Sequence, residues 1–391
     1  MNDPYNAFVS AVRVEGAAVG PLAGLAFAAK DLLDVAGFVT GAGNHDWAAA
    51  QQPASRHAAV VQRALDAGAT LIGKTQTDEL SRGIFGENSP GAPPLNPRAA
   101  DRVTGGSSSG SAAAVAGGLA DFALGTDTGG SVRVPASFCG LYGMRPSLRR
   151  IPFDGCVPQA PGFDTIGWFA RDAEVFARVG RALLASTRVD APPPTRLVAL
   201  EDTFALADDD VRRALETVVA RIAPMFIVAE RRMLSREPLA AWHAQQTALQ
   251  GHEAWRTFGD WLDRTNPRLT YEVADAFLRG ARVDDATAER ARAFRAERRA
   301  EVLSWLDPGT VLCLPTTPCV APRRGQPRSV MWPLRTRVLT LTCIAGTLGA
   351  PQATFPVAEV AGLPVGLSFI AAPGHDETLL ALGRVLGHAL G

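Results

Sequence analysis

The sequence predicts an α/β protein in which a β-sheet is covered by helices. From Leu22 onward, short apolar runs alternate with segments of helical periodicity, and this strand–helix–strand order is typical of such sheets. The 391 residues are 47% hydrophobic and 20% charged, which allows a sizeable core. The 39 basic and 39 acidic residues balance, which excludes a disordered chain and a protein that grips nucleic acid through phosphate charge.

The N-terminal third contains the first alternation of strands and helices. Two apolar segments are predicted as strands, one ending at Lys30 and one reaching Lys74. The segment between them is predicted as a helix that Gly68 ends. A loop rich in Gly, Pro and Asn follows, and then a helix of small residues and a short strand. In chain order, the predicted segments are 22–30, 54–68, 69–74, 83–106, 111–120 and 121–127.

The C-terminal half contains a helical excursion and then returns to strands. A proline-rich break at 190–196 is predicted as a linker or surface loop, before a strand at 197–202. Residues 208–306 are predicted to be mainly helical, because charged faces alternate with apolar stripes. We expect the strands that follow to rejoin the N-terminal sheet, giving one domain over 1–391. The remaining predicted segments are the strands 310–318, 338–356 and 362–372 and the helix 377–390.

Targeting signals and cysteine patterns are not visible in the sequence. The N-terminus lacks a basic start followed by a long apolar run, and no uncharged apolar run approaches the roughly 20 residues that span a bilayer. The sequence therefore predicts a cytoplasmic protein without a membrane partner. Its five cysteines are odd in number and scattered, which argues against a disulfide framework and against a cysteine-based zinc site.

One short motif resembles a phosphate-binding loop. GATLIGKT at 68–75 matches G-x-x-x-x-G-K-[ST]. That loop requires a strand before its first glycine and a helix after its lysine, whereas Gly68 here ends a predicted helix and residues 69–72 favour a strand. We therefore expect no nucleotide at this motif and place Lys74 near the end of a strand.

The region 104–137 carries the pattern most indicative of chemistry. Serines cluster at 107–111, and a second glycine-containing turn at 127–131 follows a predicted strand. Such a turn can expose Ser131 and direct consecutive backbone N–H groups at one point, as an oxyanion hole for acyl transfer does. A Gly/Ser-rich loop without chemistry is the alternative, but two such turns joined by a helix of small residues favour a site.

A serine nucleophile needs a base, and lysine is the candidate here. None of the six histidines stands in a strand-end turn with an aspartate, and Ser131 lacks the G-x-S-x-G nucleophile elbow. Lys30 and Lys74 are the only lysines among 39 basic residues. An ammonium can lose its proton when burial lowers its pKa, which arginine does not do. Lys30, at the end of the first predicted strand, is therefore the candidate base.

Several segments, in order along most of the chain, resemble the amidase signature family. The signature core is predicted over 107–147, within GGSSSGS and GTDTGGSVRVPASFCGLYGMRPS. The resemblance implies a single large α/β domain with a central mixed β-sheet covered by helices on both faces. The matching segments are 27–37, 73–80, 96–111, 125–147, 161–172 and 362–370.

The resemblance also implies roles for individual residues. Lys30 corresponds to the catalytic lysine, Ser107 to a bridging serine that follows a cis peptide bond, and Ser131 to the nucleophile. The implied reaction passes a proton from Ser131 through Ser107 to Lys30 and forms an acyl-enzyme, with no metal and no cofactor. The oxyanion hole corresponds to the backbone amides of Thr128, Gly129, Gly130 and Ser131.

Four further residues are predicted to support this site. Ser108 and Ser109 are candidates for hydrogen bonds within the proton relay, with local helix capping as the alternative. Asp127 and Arg133 flank the predicted nucleophile turn. We expect them to form a buried ion pair that fixes the turn, in preference to direct substrate contact.

The predicted substrate is a small carboxamide. The resemblance is nearest to the branch that includes plant-type indole-3-acetamide amidases, so an aryl- or indole-acetamide is one example. The helical excursion 208–306 is expected to shape the pocket. Two alternatives stay open: a glutaminase resembling the glutamine-hydrolysing component of tRNA-dependent amidotransferases, and a catalytically silent docking module. No nucleic-acid partner is expected, and an apolar patch on the terminal helices makes a homodimer a candidate.

Overall fold

The computed structural model describes residues 2–89, 91–186 and 191–390, and these build one eleven-stranded β-sheet with helices on both faces. The strands are β1 Phe8–Val14, β2 Ala26–Lys30, β3 Thr70–Thr75, β4 Phe122–Thr126, β5 Tyr142–Arg145, β6 Ile166–Ala170, β7 Arg196–Leu200, β8 Val228–Arg232, β9 Thr310–Pro315, β10 Gln352–Val360 and β11 Leu363–Ile370. The helices are α1 His45–Ala49, α2 Ala59–Asp66, α3 Ser109–Ala116, α4 Arg133–Cys139, α5 Ala173–Leu183, α6 Glu201–Phe204, α7 Asp209–Ile222, α8 Leu239–Thr265, α9 Tyr271–Ala281, α10 Asp285–Leu303, α11 Arg328–Leu348 and α12 Asp376–Leu390.

The sheet is mixed, as the family resemblance implied. Its strand order is β1-β3-β2-β4-β6-β5-β10-β11-β9-β7-β8. Strand β2 is parallel to both β3 and β4, whereas β5, β6, β10 and β11 pair in antiparallel fashion. The C-terminal strands therefore rejoin the N-terminal ones through β5 and β10. Because parallel neighbours end at the same edge of a sheet, the last residues of β2 and β4 are brought together there.

Both faces of the sheet are packed against helices. Along β4, Phe122 and Leu124 belong to a core cluster that includes residues of α2, α5 and α12. Ala123, between them, packs on the opposite face with Ala112 of α3 and Ala136 of α4. This alternation follows from the two-residue side-chain period of a strand. The small residues of α3 and α4 let these helices approach the sheet closely, which matters because both begin at the serine-bearing turns.

The excursion 208–306 differs from its prediction at one element. Most of it is helical, but Val228–Arg232 forms β8, which pairs in parallel with β7 at the edge of the sheet. Four of the five residues of β8 are exposed, and its last three residues are charged. Its sequence therefore lacks the apolar alternation by which strands are recognised. Backbone pairing with β7, not side-chain burial, defines this strand.

The segment 338–356 is the clearest wrong prediction. Its first part, up to Leu348, is the end of the long helix α11, and a strand begins only at Gln352. Several β-branched residues suggested a strand, but residues 338 and 340–348 are buried in a helix packed within the core. Tertiary packing overrides the weak preference of β-branched residues for strands. Gly349, with a φ of +63°, ends the helix in the left-handed conformation.

The predicted linker and the segment resembling a phosphate loop both lie largely within the described residues. Residues 191–195 of the predicted linker form no helix or strand, while Asp190 lies outside the described residues. The segment resembling a phosphate loop is strand β3, as expected, and Lys74 lies within it. Within the described ranges, no helix is long and apolar enough to cross a membrane.

Candidate active site

Lys30 is the last residue of β2 and is completely buried at the edge of the sheet. Its Nζ donates hydrogen bonds to Ser107 Oγ at 2.7 Å and to Thr126 Oγ1 at 2.8 Å. Thr126 ends β4, so the parallel pairing of β2 and β4 creates this contact. Burial lowers the pKa of Lys30 from 10.5 to about 7, although nearby Asp78 and Asp127 partly oppose that shift. A large fraction of Lys30 is therefore a neutral amine near neutral pH.

Ser107 lies in the loop before α3, after a cis Gly106–Ser107 peptide bond. Its carbonyl accepts the N–H of Asp78 at 3.1 Å, which ties this loop to the segment after β3. Ser81 Oγ lies 3.3 Å from Ser107 Oγ. Ser81 has a φ of +62°, an uncommon conformation for a residue with a side chain, so the backbone turns sharply to bring this hydroxyl to Ser107.

Ser131 lies in the turn between β4 and α4 and lines a cavity with a volume of about 450 Å³. Its backbone carbonyl accepts the N–H of Ser108 at 3.3 Å, so the two serine-bearing turns pack directly against each other. The residue is only 4% exposed, and that exposure is to the cavity. The turn passes through Gly130, whose φ of +132° favours a residue without a side chain.

Asp127 organises the Ser131 turn through a buried network. Its carboxylate accepts the N–H of Gly130 at 2.9 Å and that of Val132 at 3.0 Å. It also forms the predicted ion pair with Arg133, through Nη2 at 2.7 Å and Nε at 2.9 Å. A second cation, Arg145, lies 3.1 Å away. The two guanidinium groups hold the pKa of Asp127 well below its usual range, so the turn is anchored on a permanent anion.

The predicted oxyanion-hole amides differ from one another in the structure. The N–H of Gly130 is already engaged by Asp127, so it is not available in the way that the prediction requires. The N–H groups of Thr128, Gly129 and Ser131 have no acceptor among the described residues. Three donors of the turn thus remain for a developing negative charge, while the fourth holds the turn in shape.

Ser108 and Ser109 are placed away from the Lys30–Ser107 hydrogen bond. Ser108 Oγ donates to the carbonyl of Thr126 at 3.2 Å and accepts its N–H at 3.3 Å, which fastens the loop to β4. Ser109 Oγ is buried at the start of α3 and has no hydrogen-bond partner within the described ranges. Neither hydroxyl bonds to Lys30 or Ser107, so their predicted part in the relay has no counterpart in this geometry.

Some residues of the site were missed by reasoning from the sequence. Arg145 ends β5 and was not distinguished from the other arginines, although it lies within the quoted signature segment. Ser81 was hidden because its position depends on the sharp turn after β3. Gln250 of α8 donates to the carbonyl of Thr128 at 2.9 Å, so the helical excursion contacts the nucleophile turn directly. Sequence periodicity carries no signal for this last contact.

Most of the cavity lining comes from two parts of the chain. They are residues 81–85, 87 and 88 and the helices α8, α9 and α11. The volume lies within the range of small-molecule sites, about 300–1,000 Å³. The described lining has an apolar part, Ile84, Phe85, Ala276, Met331, Trp332 and Leu339, and a charged part, Arg82, Glu87, Glu272, Arg279, Arg328 and Arg335.

Comparisons with known proteins agree with this fold and identify the family. The family model described as Amidase matches residues 7–226 and 198–380, which together cover most of the chain. The protein is therefore a hydrolase that acts on amide C–N bonds. It belongs to the amidase signature family, as the sequence resemblance indicated.

Individual relatives show how far the similarity extends. Amidase 1 of Arabidopsis thaliana is 35% identical over 97% of this chain and 97% of its own length. Amidase 1 of Oryza sativa is 36% identical over 92% of this chain and 89% of its length. A glutamyl-tRNA(Gln) amidotransferase component of Thermus thermophilus is 34% identical over 92% of this chain and 83% of its length. A crystal structure of an amidase superposes with a TM-score of 0.86 at 32% identity, covering 95% of this chain and 86% of that one.

Proposed function

We propose that the protein hydrolyses a small primary carboxamide to a carboxylate and ammonia, with Ser131 as the nucleophile. The observation that carries this proposal is the 2.7 Å hydrogen bond between Lys30 Nζ and Ser107 Oγ, beside a cavity lined by Ser131. Burial lowers the pKa of Lys30 to about 7, which supplies a neutral amine without a histidine.

The proton relay starts at the amine. Neutral Lys30 accepts a proton from Ser107, and Ser107 accepts one from Ser131 as Ser131 Oγ bonds to the amide carbon. The negative charge that develops on the carbonyl oxygen is stabilised by the free amides of the turn, those of Thr128, Gly129 and Ser131. The relay then returns a proton to the nitrogen as the C–N bond breaks and ammonia leaves. Water attacks the acyl-enzyme and releases the carboxylate.

The role of Asp127 is to position this machinery. Its carboxylate is surrounded by Arg133, Arg145 and backbone N–H groups, all without solvent access. Three amides can therefore point into the cavity without reorganising during the reaction. This arrangement supports a role in holding the oxyanion hole rather than in accepting a proton.

The cavity volume of about 450 Å³ supports an acyl group no larger than an aromatic or short aliphatic unit. Aryl- and indole-acetamides are members of this class. The relative named Amidase 1 from Arabidopsis thaliana supports hydrolysis, and the amidotransferase relative supports the alternative in which released ammonia passes to a partner.

The test is ammonia release from a panel of aliphatic, aryl and indolic primary amides and glutamine, with Ser131→Ala as the control. We expect release from at least one simple amide by the protein alone, and its loss in the variant. Glutamine hydrolysis that requires added partner proteins would favour the amidotransferase alternative. A folded protein that releases no ammonia and resists a serine-directed phosphonate would favour the silent docking module.

A further inference from the structure

Two arginines in the cavity wall are not explained by the proton relay. Arg82 directly follows Ser81, the residue whose hydroxyl contacts Ser107. Arg335 belongs to α11 and lines the same cavity. Both side chains line the cavity onto which Ser131 opens, so a ligand placed for attack by Ser131 shares that space with two cations.

The guanidinium groups are held by aromatic rings instead of carboxylates. The Arg82 guanidinium lies 4.8 Å from the centre of the Phe277 ring, and that of Arg335 lies 5.3 Å from the Trp332 ring. Neither arginine has a carboxylate within ion-pair distance in the described part of the chain, and Nε of Arg82 is buried without a hydrogen-bond partner. Stacking uses the face of a guanidinium and leaves the N–H groups at its edge free to donate.

One polar neighbour orients Arg82. The side-chain amide of Gln159 has partners for both its nitrogen and its oxygen in one orientation. In that orientation the nitrogen donates to Ser81 Oγ at 3.0 Å, and the oxygen accepts from Nη1 of Arg82 at 3.3 Å. This single weak contact leaves most of the five donors of the group unused. The Ser81–Gln159–Arg82 contacts also link the arginine to the segment that touches Ser107, which fixes its position relative to the reacting groups.

Three of the other four charged residues of the lining, Arg279, Arg328 and Glu272, form ion pairs. Arg279 forms an ion pair with Asp275 at 2.7 Å, and Arg328 lies 3.5 Å from Glu272. Glu87 accepts the backbone N–H of Gly325 at 3.0 Å. The four arginines of the lining outnumber its two glutamates, and Arg82 and Arg335 are the two of these arginines that lack an ion-pair partner among the described residues.

Burial and neighbouring cations lower the pKa of both groups. Burial lowers the pKa of Arg82 to about 10, and the charges of Arg335 and Arg279 act in the same direction. Burial and Arg279 likewise lower the pKa of Arg335 to about 10, while Glu272 and Asp275 oppose the shift. Both remain cations at neutral pH. An anion bound between them would offset their repulsion and supply the missing partner.

We propose that the cavity selects amides that carry a carboxylate, with Arg82 as its principal partner and Arg335 as a second cation. The inference rests on the proposed amide hydrolysis and narrows it to monoamides of dicarboxylic acids. The amide lies at Ser131, an apolar spacer lies against Ile84, Phe85 and Leu339, and the carboxylate reaches the arginines. A planar carboxylate matches the fork of donors on a guanidinium.

The experiment compares substrate pairs that differ in one group. Glutaric acid monoamide is compared with pentanamide, and terephthalic acid monoamide with para-toluamide. We expect a higher kcat/KM for the anionic member of each pair. Arg82→Met should lower that preference about tenfold to one-hundredfold, mainly through KM, as the loss of a charge-assisted hydrogen bond predicts. Arg82→Lys should retain part of it, because the charge stays and the fork is lost.

Two further variants make the test specific. Arg335→Met should lower the preference less than Arg82→Met does. Arg328→Met removes a cation of the same wall that already has Glu272 nearby, so the smallest change in preference is expected there. Equal kcat/KM for both members of each pair in the wild type, or an unchanged preference in folded Arg82→Met, would overturn the inference.

A binding measurement separates this inference from the proposed function. Calorimetry measures the affinity of glutaric acid monoamide for Ser131→Ala and for Ser131→Ala combined with Arg82→Met. Binding that depends on Arg82, with no hydrolysis by the wild type, would sustain the carboxylate site and contradict amide hydrolysis by Ser131. Hydrolysis of pentanamide that requires Ser131, with no binding that depends on Arg82, would sustain the reaction and contradict the carboxylate site.

Discussion

The two lysines of the chain lie on neighbouring parallel strands, yet their surroundings differ in one respect. Lys30 ends β2. Lys74 lies in β3 and pairs with Ala29, the residue before Lys30. Both side chains are buried. Lys74 Nζ forms an ion pair with Asp31 Oδ1 at 2.7 Å and donates to the carbonyl of Val39 at 3.0 Å. Lys30 Nζ instead donates to two hydroxyl groups.

The difference shows how one residue type serves two purposes. A buried ammonium is stabilised when a carboxylate lies in direct contact, and this is the situation of Lys74 beside Asp31. Lys30 has carboxylates near it but none in ion-pair contact among the described residues, so burial dominates and lowers its pKa to about 7. Lys30, the lysine proposed as the base, thus differs from Lys74 in having no anion in contact.

The largest expected effect is on activity. Lys30→Met removes the proposed base, so kcat/KM for a good amide substrate should fall about 10²- to 10⁴-fold, the usual range for general acid–base groups. Lys74→Met removes the other lysine, from the adjacent strand. Its fall in kcat/KM should be at least tenfold smaller than that of Lys30→Met, a difference of about 1.4 kcal/mol in activation free energy. Steady-state kinetics normalised to the fraction of folded protein checks both. Equal losses in the two variants would contradict the distinction between the lysines.

The next largest effect is on stability, and here Lys74, not Lys30, is the lysine whose replacement should matter more. Lys74→Met leaves the Asp31 carboxylate buried without its partner, which should lower the free energy of unfolding by about 3–5 kcal/mol. Lys74→Met combined with Asp31→Leu should recover most of that loss. Urea denaturation of the wild type and both variants measures it. A Lys74→Met variant as stable as the wild type would show that burying the Asp31 carboxylate without Lys74 has no cost in stability.

The pH dependence of activity should follow Lys30. Its neutral form is the active one, so kcat/KM should fall about tenfold per pH unit as the pH drops below about 7. Above that value the profile should level off until another group titrates. A pH profile of kcat/KM at constant ionic strength measures the apparent pKa. A profile of the wild type that is flat from pH 6 to 8 would be inconsistent with a neutral amine as base.

The smallest effect is a pH-dependent difference in stability. The native pKa of Lys30, about 7, lies below its ordinary 10.5, so between these values the unfolded chain binds one more proton than the native protein. Wild-type stability should therefore rise with pH relative to Lys30→Met, by at most about 1.4 kcal/mol per pH unit. Urea denaturation of both proteins at pH 7.5 and 9.5 tests this trend, and a stability difference that does not change with pH would show that Lys30 stays protonated.

The sequence alone was sufficient for those parts of the site that depend on residue type and local spacing. The scarcity of lysine left Lys30 and Lys74, and the end of the first predicted strand indicated Lys30, while the turn at 127–131 was recognisable from its glycines and serine. The Asp127–Arg133 ion pair was predictable because the two residues flank one short turn. The mixed sheet followed from the family resemblance, while the alternation of strands and helices followed from periodicity.

The remainder depends on contacts between distant segments. Arg145 reaches Asp127 only because β5 lies two strands from β4 in the sheet. The contact of Gln250 with the Thr128 carbonyl requires the packing of α8 over the turn. Helix α11 was misassigned because its β-branched residues are buried within a packed helix, where burial outweighs propensity. None of these arrangements is encoded in local sequence patterns.

The proposed deprotonation of Ser131 by Lys30 through Ser107 can be tested without knowing the natural substrate. The measurement is the rate at which phenylmethylsulfonyl fluoride modifies Ser131, followed by intact-protein mass with Ser131→Ala as control. In the wild type the rate should rise with pH through an apparent pKa of about 7, and in Lys30→Met the reaction should be slow and lack that step. Modification of Lys30→Met at the wild-type rate, with the same pH dependence, would contradict the account.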